Sequence, residues 1–169
     1  YSILALRRMA KPVLAVVEGP CAGAGMSMMA ACDLAIASED AMFTLAYSNL
    51  GASPDGGSSY FLPRILGTRK ALELAFLPDR FDAATALNLG LVNWVVPKGE
   101  LETRVATIAK RLANGPTVAL AKTKALMNQS LDMSIEAQLE AEVQAFADCA
   151  RTDDIREGVM AFVEKRKPS

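Results

Sequence analysis

Histidine is absent from the 169 residues. Without an imidazole, Ser-His-Asp and Cys-His nucleophile systems are excluded within the chain, and acid–base work falls to carboxylates or tyrosine. Cysteine is sparse. Cys21, Cys32 and Cys149 share no paired spacing, so neither a disulfide frame nor a zinc site is expected, and the cytoplasm is the default compartment. Basic residues are not in excess: 18 Lys and Arg face 19 Asp and Glu, so nucleic acid is not an expected partner. No apolar run reaches the ~18 residues of a membrane-spanning helix and no signal-peptide pattern is present, so no membrane partner is expected. Repeats, low-complexity tracts and metal-ligand clusters are lacking. Gly23-Ala24-Gly25 is not a dinucleotide fingerprint, for it lacks the third glycine and the acidic residue downstream. There is no initiator methionine, and YSILALRRMA reads as the last turns of a helix, so the sequence is expected to be a piece of a longer protein.

Apolar residues are plentiful, at 51% of the chain. A chain of this length fits one domain and buries ~70% of its unfolded surface. The apolar surplus is therefore read as an oligomer interface or a ligand pocket.

The stretch Lys11–Asp33, KPVLAVVEGPCAGAGMSMMAACD, organises the rest. Val13 to Val17 reads as a strand buried on both faces. Glu18, Gly19 and Pro20 break it. Ala22-Gly23-Ala24-Gly25 then opens a helix of small residues and methionines, from Met26 to Cys32. The first N–H groups of such a helix have no internal partner and can face a developing oxyanion. A tightly packed strand–turn–helix corner with no ligand fits the same residues.

Downstream, Asp33–Ala37 and Ala41–Leu45 read as short strands, and a helix over 56–67 is kinked or ended by Pro63. A helix follows from Arg69 to Leu77. Asp82 caps a helix over 83–89 that stops at Gly90, and Leu91–Val96 is a strand. Beyond Pro97 the pattern is helical only, over 100–113, 117–129, 135–150 capped by Ser134, and a last helix capped by Asp153 or Asp154 that ends near Lys165. This composition shift divides the chain into 1–97 and 98–169. Asp55, between Pro54 and Gly56-Gly57, reads on its own as the cap of the helix that follows, or as an acid.

KPVLAVVEGPCAGAG, then LGASPDGGSSYFLPRILG, then ALNLGLVNWVV, and the ending DDIREGVMAFVEKRK together resemble the crotonase superfamily of enoyl-CoA hydratases and isomerases. The resemblance covers essentially the whole chain, in order. It implies an α/β fold, a crotonase-like ββα spiral core lacking its N-terminal part, with an all-helical C-terminal subregion. It also implies an acyl-CoA thioester substrate, coenzyme A entering with the substrate rather than as a cofactor, no metal, and a homotrimer or dimer of trimers. By that resemblance, the second oxyanion donor and most adenosine contacts are expected in a portion preceding this sequence.

By the same resemblance, the backbone N–H of Ala24 serves the oxyanion hole, with Ala for the more usual Gly. Such a donor contributes roughly 3 kcal/mol to the barrier. Asp55 faces the acyl group as the acid/base. Ala22, Gly23, Met26, Ser27, Tyr47 and Leu50 contact the substrate. Phe162 and Lys165, three apart on one face of the last helix, meet coenzyme A in a neighbouring subunit. Hydratases of the family carry glutamates where this chain has Ser27 and Tyr47. The pattern therefore sits closest to the Asp-containing isomerases, and double-bond isomerisation is the expected reaction. Hydration, another lyase or hydrolase reaction, and a non-catalytic oligomeric core are the alternatives.

Overall fold

The computed structural model describes residues 2–168. A short helix, α1 (Ser2–Arg8), leads to β1 (Leu14–Val17); β2 (Pro20–Ala22) and α2 (Ala24–Ala31) follow. β3 (Leu34–Ser38), β4 (Met42–Thr44), α3 (Ser58–Leu66) and α4 (Thr68–Phe76) come next. β5 (Phe81–Asp82), α5 (Ala83–Asn88) and β6 (Trp94–Val96) complete the strands. The remainder is helical: α6 (Leu101–Ala113), α7 (Thr117–Gln129), α8 (Ile135–Cys149) and α9 (Asp153–Val163).

The strands form two sheets. In the first, β1, β3 and β6 run parallel, with Val16 opposite Ile36 and Ile36 opposite Trp94. In the second, β2 lies parallel to β4, and β5 pairs antiparallel to β4. Each long strand turns directly into a short strand of the other sheet. Gly19, at φ 79°, makes that turn between β1 and β2, and its carbonyl accepts from Met42 N–H at 3.2 Å. The order β1-β2-α2, then β3-β4-α3, is the ββα repeat expected of a spiral core.

The core of this unit is built largely from small residues. Ala30, Ala31, Ala35, Ala37, Ala41, Ala83 and Ala86 are buried beside Met26, Phe43 and Leu62. Small side chains let α2 approach the sheets closely, and larger ones fill what is left. Phe43 stacks on Phe81 with ring centroids 5.6 Å apart.

Several local expectations change. β1 is not buried on both faces: Val16 is 48% exposed while Val17 is buried. Pro20 does not end the sheet structure but starts β2, a position where a missing N–H costs no ladder bond. The strand over Leu91–Val96 shortens to β6. The N–H groups of Leu91 and Val92 donate back to Ala86 O, and the Asn93 side chain accepts from Ala35 N–H at 2.8 Å. Pro63 lies inside α3, which runs on to Leu66. The cap of α9 is Thr152, whose hydroxyl accepts from Ile155 N–H at 3.4 Å, rather than Asp153 or Asp154. Asp82 and Ser134 do cap α5 and α8, accepting from Thr85 and Ala137 N–H.

Two compact units make up the chain: one takes the residues up to Arg7 with Val13–Lys110, the other Arg8–Pro12 with the chain from Arg111 onward. The composition shift at Pro97 thus precedes the change of unit, because α6 begins in the first. In the second unit the Lys122 ammonium donates to the Asp148 carboxylate, and Gln138 Nε2 donates to Leu126 O at 3.2 Å, so α7 and α8 are tied side by side. α8 carries an exposed apolar stripe of Ile135, Leu139, Val143 and Phe146, at helical spacing. A cavity of about 890 Å³, lined by Leu126, Leu139, Phe146 and Ile155 among others, opens between α7, α8 and α9. Among the described residues, no helix is long and apolar enough to cross a membrane.

Candidate active site

β2 delivers the chain to Gly23, whose N–H donates to Thr44 O at 3.1 Å and so extends the β2–β4 ladder by one bond. Gly23 then takes φ 49°, which a side chain would disfavour, and caps α2. Ser27 N–H donates to Gly23 O at 3.1 Å to close the first turn. Ala24 is the first helical residue, so its N–H is one that the helix itself does not use. Ala24 and Gly25 are exposed. The corner therefore presents a helix start to solvent.

Asp55 reaches the same neighbourhood from the loop before α3. Its carboxylate does not cap that helix. Gly57 occupies the cap position, and the main-chain oxygen of Asp55 accepts from Ser58 N–H at 3.2 Å and Ser58 Oγ at 3.1 Å. The carboxylate instead accepts a hydrogen bond at Oδ1 from the Tyr47 hydroxyl. Tyr47 Oη is also 3.1 Å from Ser27 Oγ, which lies 3.3 Å from Gly23 O. Burial first, and then the Asp55 hydrogen bond, hold the Tyr47 phenol above its ordinary range, so it remains a donor at neutral pH.

Gly56 makes this approach possible, and Gly57 makes room for the helix that follows. Gly56 has φ 61°, and a Cβ there would lie 2.8 Å from Ser27 Cβ. Gly57 has φ 87°, and its Cβ would lie 2.7 Å from the Phe61 ring. Tyr47 itself sits in a single 3₁₀ turn, Tyr47–Leu50. Its ring lies against the helix start, since a Cβ on Gly23 would be 3.9 Å from Tyr47 Cζ.

The other expected site residues divide into three groups. Ala22 is exposed beside Gly23, and Leu50 is 83% exposed at the end of the 3₁₀ turn. Met26 and Ser27 are fully buried. Met26, expected to contact the substrate, is packed in the core, and Ser27 meets the site through Tyr47. Asp55 is exposed rather than enclosed by apolar side chains. Phe162 is 84% exposed on α9. Lys165 is not on that helix with it, because α9 ends at Val163. It follows the cap at φ 55°, with Lys165 N–H donating to Phe162 O at 3.2 Å and Arg166 N–H to Ala161 O at 3.0 Å. These two bonds form a Schellman end with lysine in the left-handed place usual for glycine. Thr44, whose carbonyl orients Gly23, carried no signal in the sequence.

The sequence pattern of enoyl-CoA hydratase/isomerase matches residues 2–169. The chain belongs to the enoyl-CoA hydratase/isomerase family. It is 37% identical over 157 residues to a probable enoyl-CoA hydratase of Rhodobacter capsulatus, covering 93% of this chain and 61% of that protein. It is 36% identical to the 1,2-epoxyphenylacetyl-CoA isomerase of Escherichia coli, covering 96% of this chain and 62% of the relative. Among solved structures of the family, an enoyl-CoA hydratase/isomerase from Cupriavidus metallidurans superimposes with TM-score 0.95 at 37% identity, over 98% of this chain and 63% of that one. The chain thus spans about three fifths of the length of the curated relatives it matches. The likeness in fold confirms the crotonase-type spiral core. The relatives' names divide between hydratases and isomerases at nearly equal identity.

Proposed function

We propose that the protein acts on acyl-CoA thioesters as an enoyl-CoA double-bond isomerase. The observation that carries this reading is the Tyr47–Asp55 pair beside the start of α2. The positions at which hydratases of the family carry glutamates hold a buried serine and a tyrosine, and the carboxylate that accepts from that tyrosine is Asp55. Asp55 removes a proton from C2 of a 3-enoyl-CoA; the C–H electron pair becomes the enolate, whose oxygen accepts from Ala24 N–H. The same carboxyl returns the proton at C4, which moves the double bond to C2–C3. One carboxylate suffices for such a shift on one face of the acyl chain. Hydration requires water to be deprotonated while a proton goes to C2, work that the glutamate pair divides.

Assembly into a trimer or dimer of trimers belongs to this reading. The exposed α8 stripe supports it as a face suited to burial. Phe162 and Lys165 would reach coenzyme A bound by a neighbouring copy, the lysine as a mobile point charge for phosphate.

The test offers 3-enoyl-CoA and 2-enoyl-CoA in parallel. Isomerisation of the first should dominate. Asp55→Asn should lower kcat by about 10²–10⁴, the usual worth of a placed general base, with little change in KM. Rapid formation of 3-hydroxyacyl-CoA that survives Asp55→Asn overturns both the reaction and the residue. That outcome would favour the hydratase reading, which the names of several relatives suggest.

A further inference from the structure

Gly23 O, Ser27 Oγ, Tyr47 Oη and Asp55 Oδ1 lie in one line of hydrogen-bonding contacts, and its two ends are the two halves of the proposed chemistry. Asp55 is the base. Gly23 C=O belongs to the same peptide group as Ala24 N–H, the donor to the thioester oxygen. We propose that Tyr47 is a positioning residue that couples the Asp55 base, through Ser27, to the Gly23–Ala24 peptide. This rests on the isomerase reading of Asp55 and Ala24.

Proton counting gives the chain a direction. An ionised carboxylate only accepts, and each hydroxyl has one proton to give. With Asp55 ionised, Tyr47 commits its proton to Oδ1, and Tyr47 Oη is left as an acceptor for Ser27. Oδ1 is thereby occupied and Oδ2 is left for the substrate, so the hydrogen bond selects which oxygen acts as base. Once Oδ2 has taken the C2 proton, the carboxyl is neutral and a poorer acceptor. Tyr47 can then turn toward Ser27, and Ser27 toward Gly23 O. A donor on that carbonyl polarises the peptide and strengthens Ala24 N–H at the moment the enolate charge appears. Only hydroxyl rotations are involved, so no proton changes owner along the chain.

The surroundings are built to hold this arrangement. Ser27 has no solvent exposure, so its hydroxyl has only these partners in reach of its rotation. Gly56 packs against Ser27 Cβ and fixes the loop that carries Asp55. Nothing in a packing role for Tyr47 would need the hydroxyl.

Tyr47→Phe keeps the ring and removes only the link. For 3-enoyl-CoA, kcat should fall about tenfold, the worth of one hydrogen bond to a charged group, with KM within about twofold. Ser27→Ala should lower kcat by less, about threefold. Tyr47→Phe combined with Asp55→Asn should be no slower than Asp55→Asn alone, since Tyr47 acts through Asp55. A wild-type kcat in Tyr47→Phe, or losses that multiply in the double variant, would overturn the proposal. A readout independent of turnover is the ultraviolet titration of the tyrosines, with Tyr47 assigned by difference from Tyr47→Phe. Its phenol should titrate above ~10 in the wild type and fall in Asp55→Asn. Titration unaltered by Asp55→Asn would overturn the coupling even if the protein proved to be a hydratase. If 3-enoyl-CoA is not turned over but the phenol shift is present, the isomerase reading fails and the pair stands.

Discussion

Gly56 sets how near the Asp55 loop comes to α2. Its φ of 61° and the 2.8 Å that would separate an added Cβ from Ser27 Cβ are two independent reasons for glycine. Ser27 is part of α2, so it cannot yield as the end of a flexible side chain would. Gly56→Ala should therefore destabilise by about 1–3 kcal/mol in urea unfolding, and should lower kcat by displacing Asp55. Gly25 is the control: it lies one helical position from Ala24, and a Cβ there meets nothing within 4 Å. Gly25→Ala should leave stability within about 1 kcal/mol of wild type. At this scale the sequence pointed to Asp55, Ala24 and Tyr47 through the family resemblance, but not to their joining. Tyr47 and Asp55 are eight positions apart across a 3₁₀ turn and a loop, a spacing with no regular geometry behind it.

The tie between α7 and α8 is electrostatic as well as apolar. Hydrogen bonding and charge from Lys122 hold the Asp148 carboxyl below its ordinary range. A lowered value in the folded state means that the carboxylate's contribution is complete above the unfolded value, near ~4, and is lost as pH falls through the folded one. Asp148→Asn should therefore lower the melting temperature slightly at pH 7, and the difference should vanish in acid; a difference that persists below about pH 3 would argue for packing instead. Elements of this kind were the most legible. The bounds of α7 and the caps of α5 and α8 follow from signals within a few residues: periodicity, Asp82, Ser134 and Gly90. Elements defined by distant partners were not. β2 exists because β4 runs beside it, and β6 starts late because Asn93 turns its side chain to Ala35. Thr152 was passed over for acidic neighbours that the first turn of α9 contains without needing them as caps.

For the whole molecule, the question is what covers the apolar surface. Ile135, Leu139, Val143 and Phe146 are each more than half exposed, at 64%, 52%, 60% and 69%. Leaving four such side chains in water forgoes roughly 1.5–3 kcal/mol apiece that burial would supply. The protein should sediment as a trimer or hexamer at micromolar concentration, and Phe146→Glu should shift it toward monomer. A stable wild-type monomer would remove the basis for a cross-subunit role of Phe162 and Lys165. The two-sheet topology was legible only through the family resemblance. Strand pairing between β3 and β6, some 58 residues apart, leaves no local trace in composition or periodicity.

The lysine that closes α9 holds a backbone shape that glycine would hold at lower cost. Replacing it separates two properties that ordinarily rise or fall together. Lys165→Gly relieves about 1 kcal/mol of left-handed strain and should raise the melting temperature by a few degrees. The same change deletes a cation and should weaken inhibition by free coenzyme A, while leaving a thioester truncated at pantetheine unaffected. A variant at once more heat-resistant and less able to hold the nucleotide end would show that thermal tolerance is traded at this position for grip on the ligand.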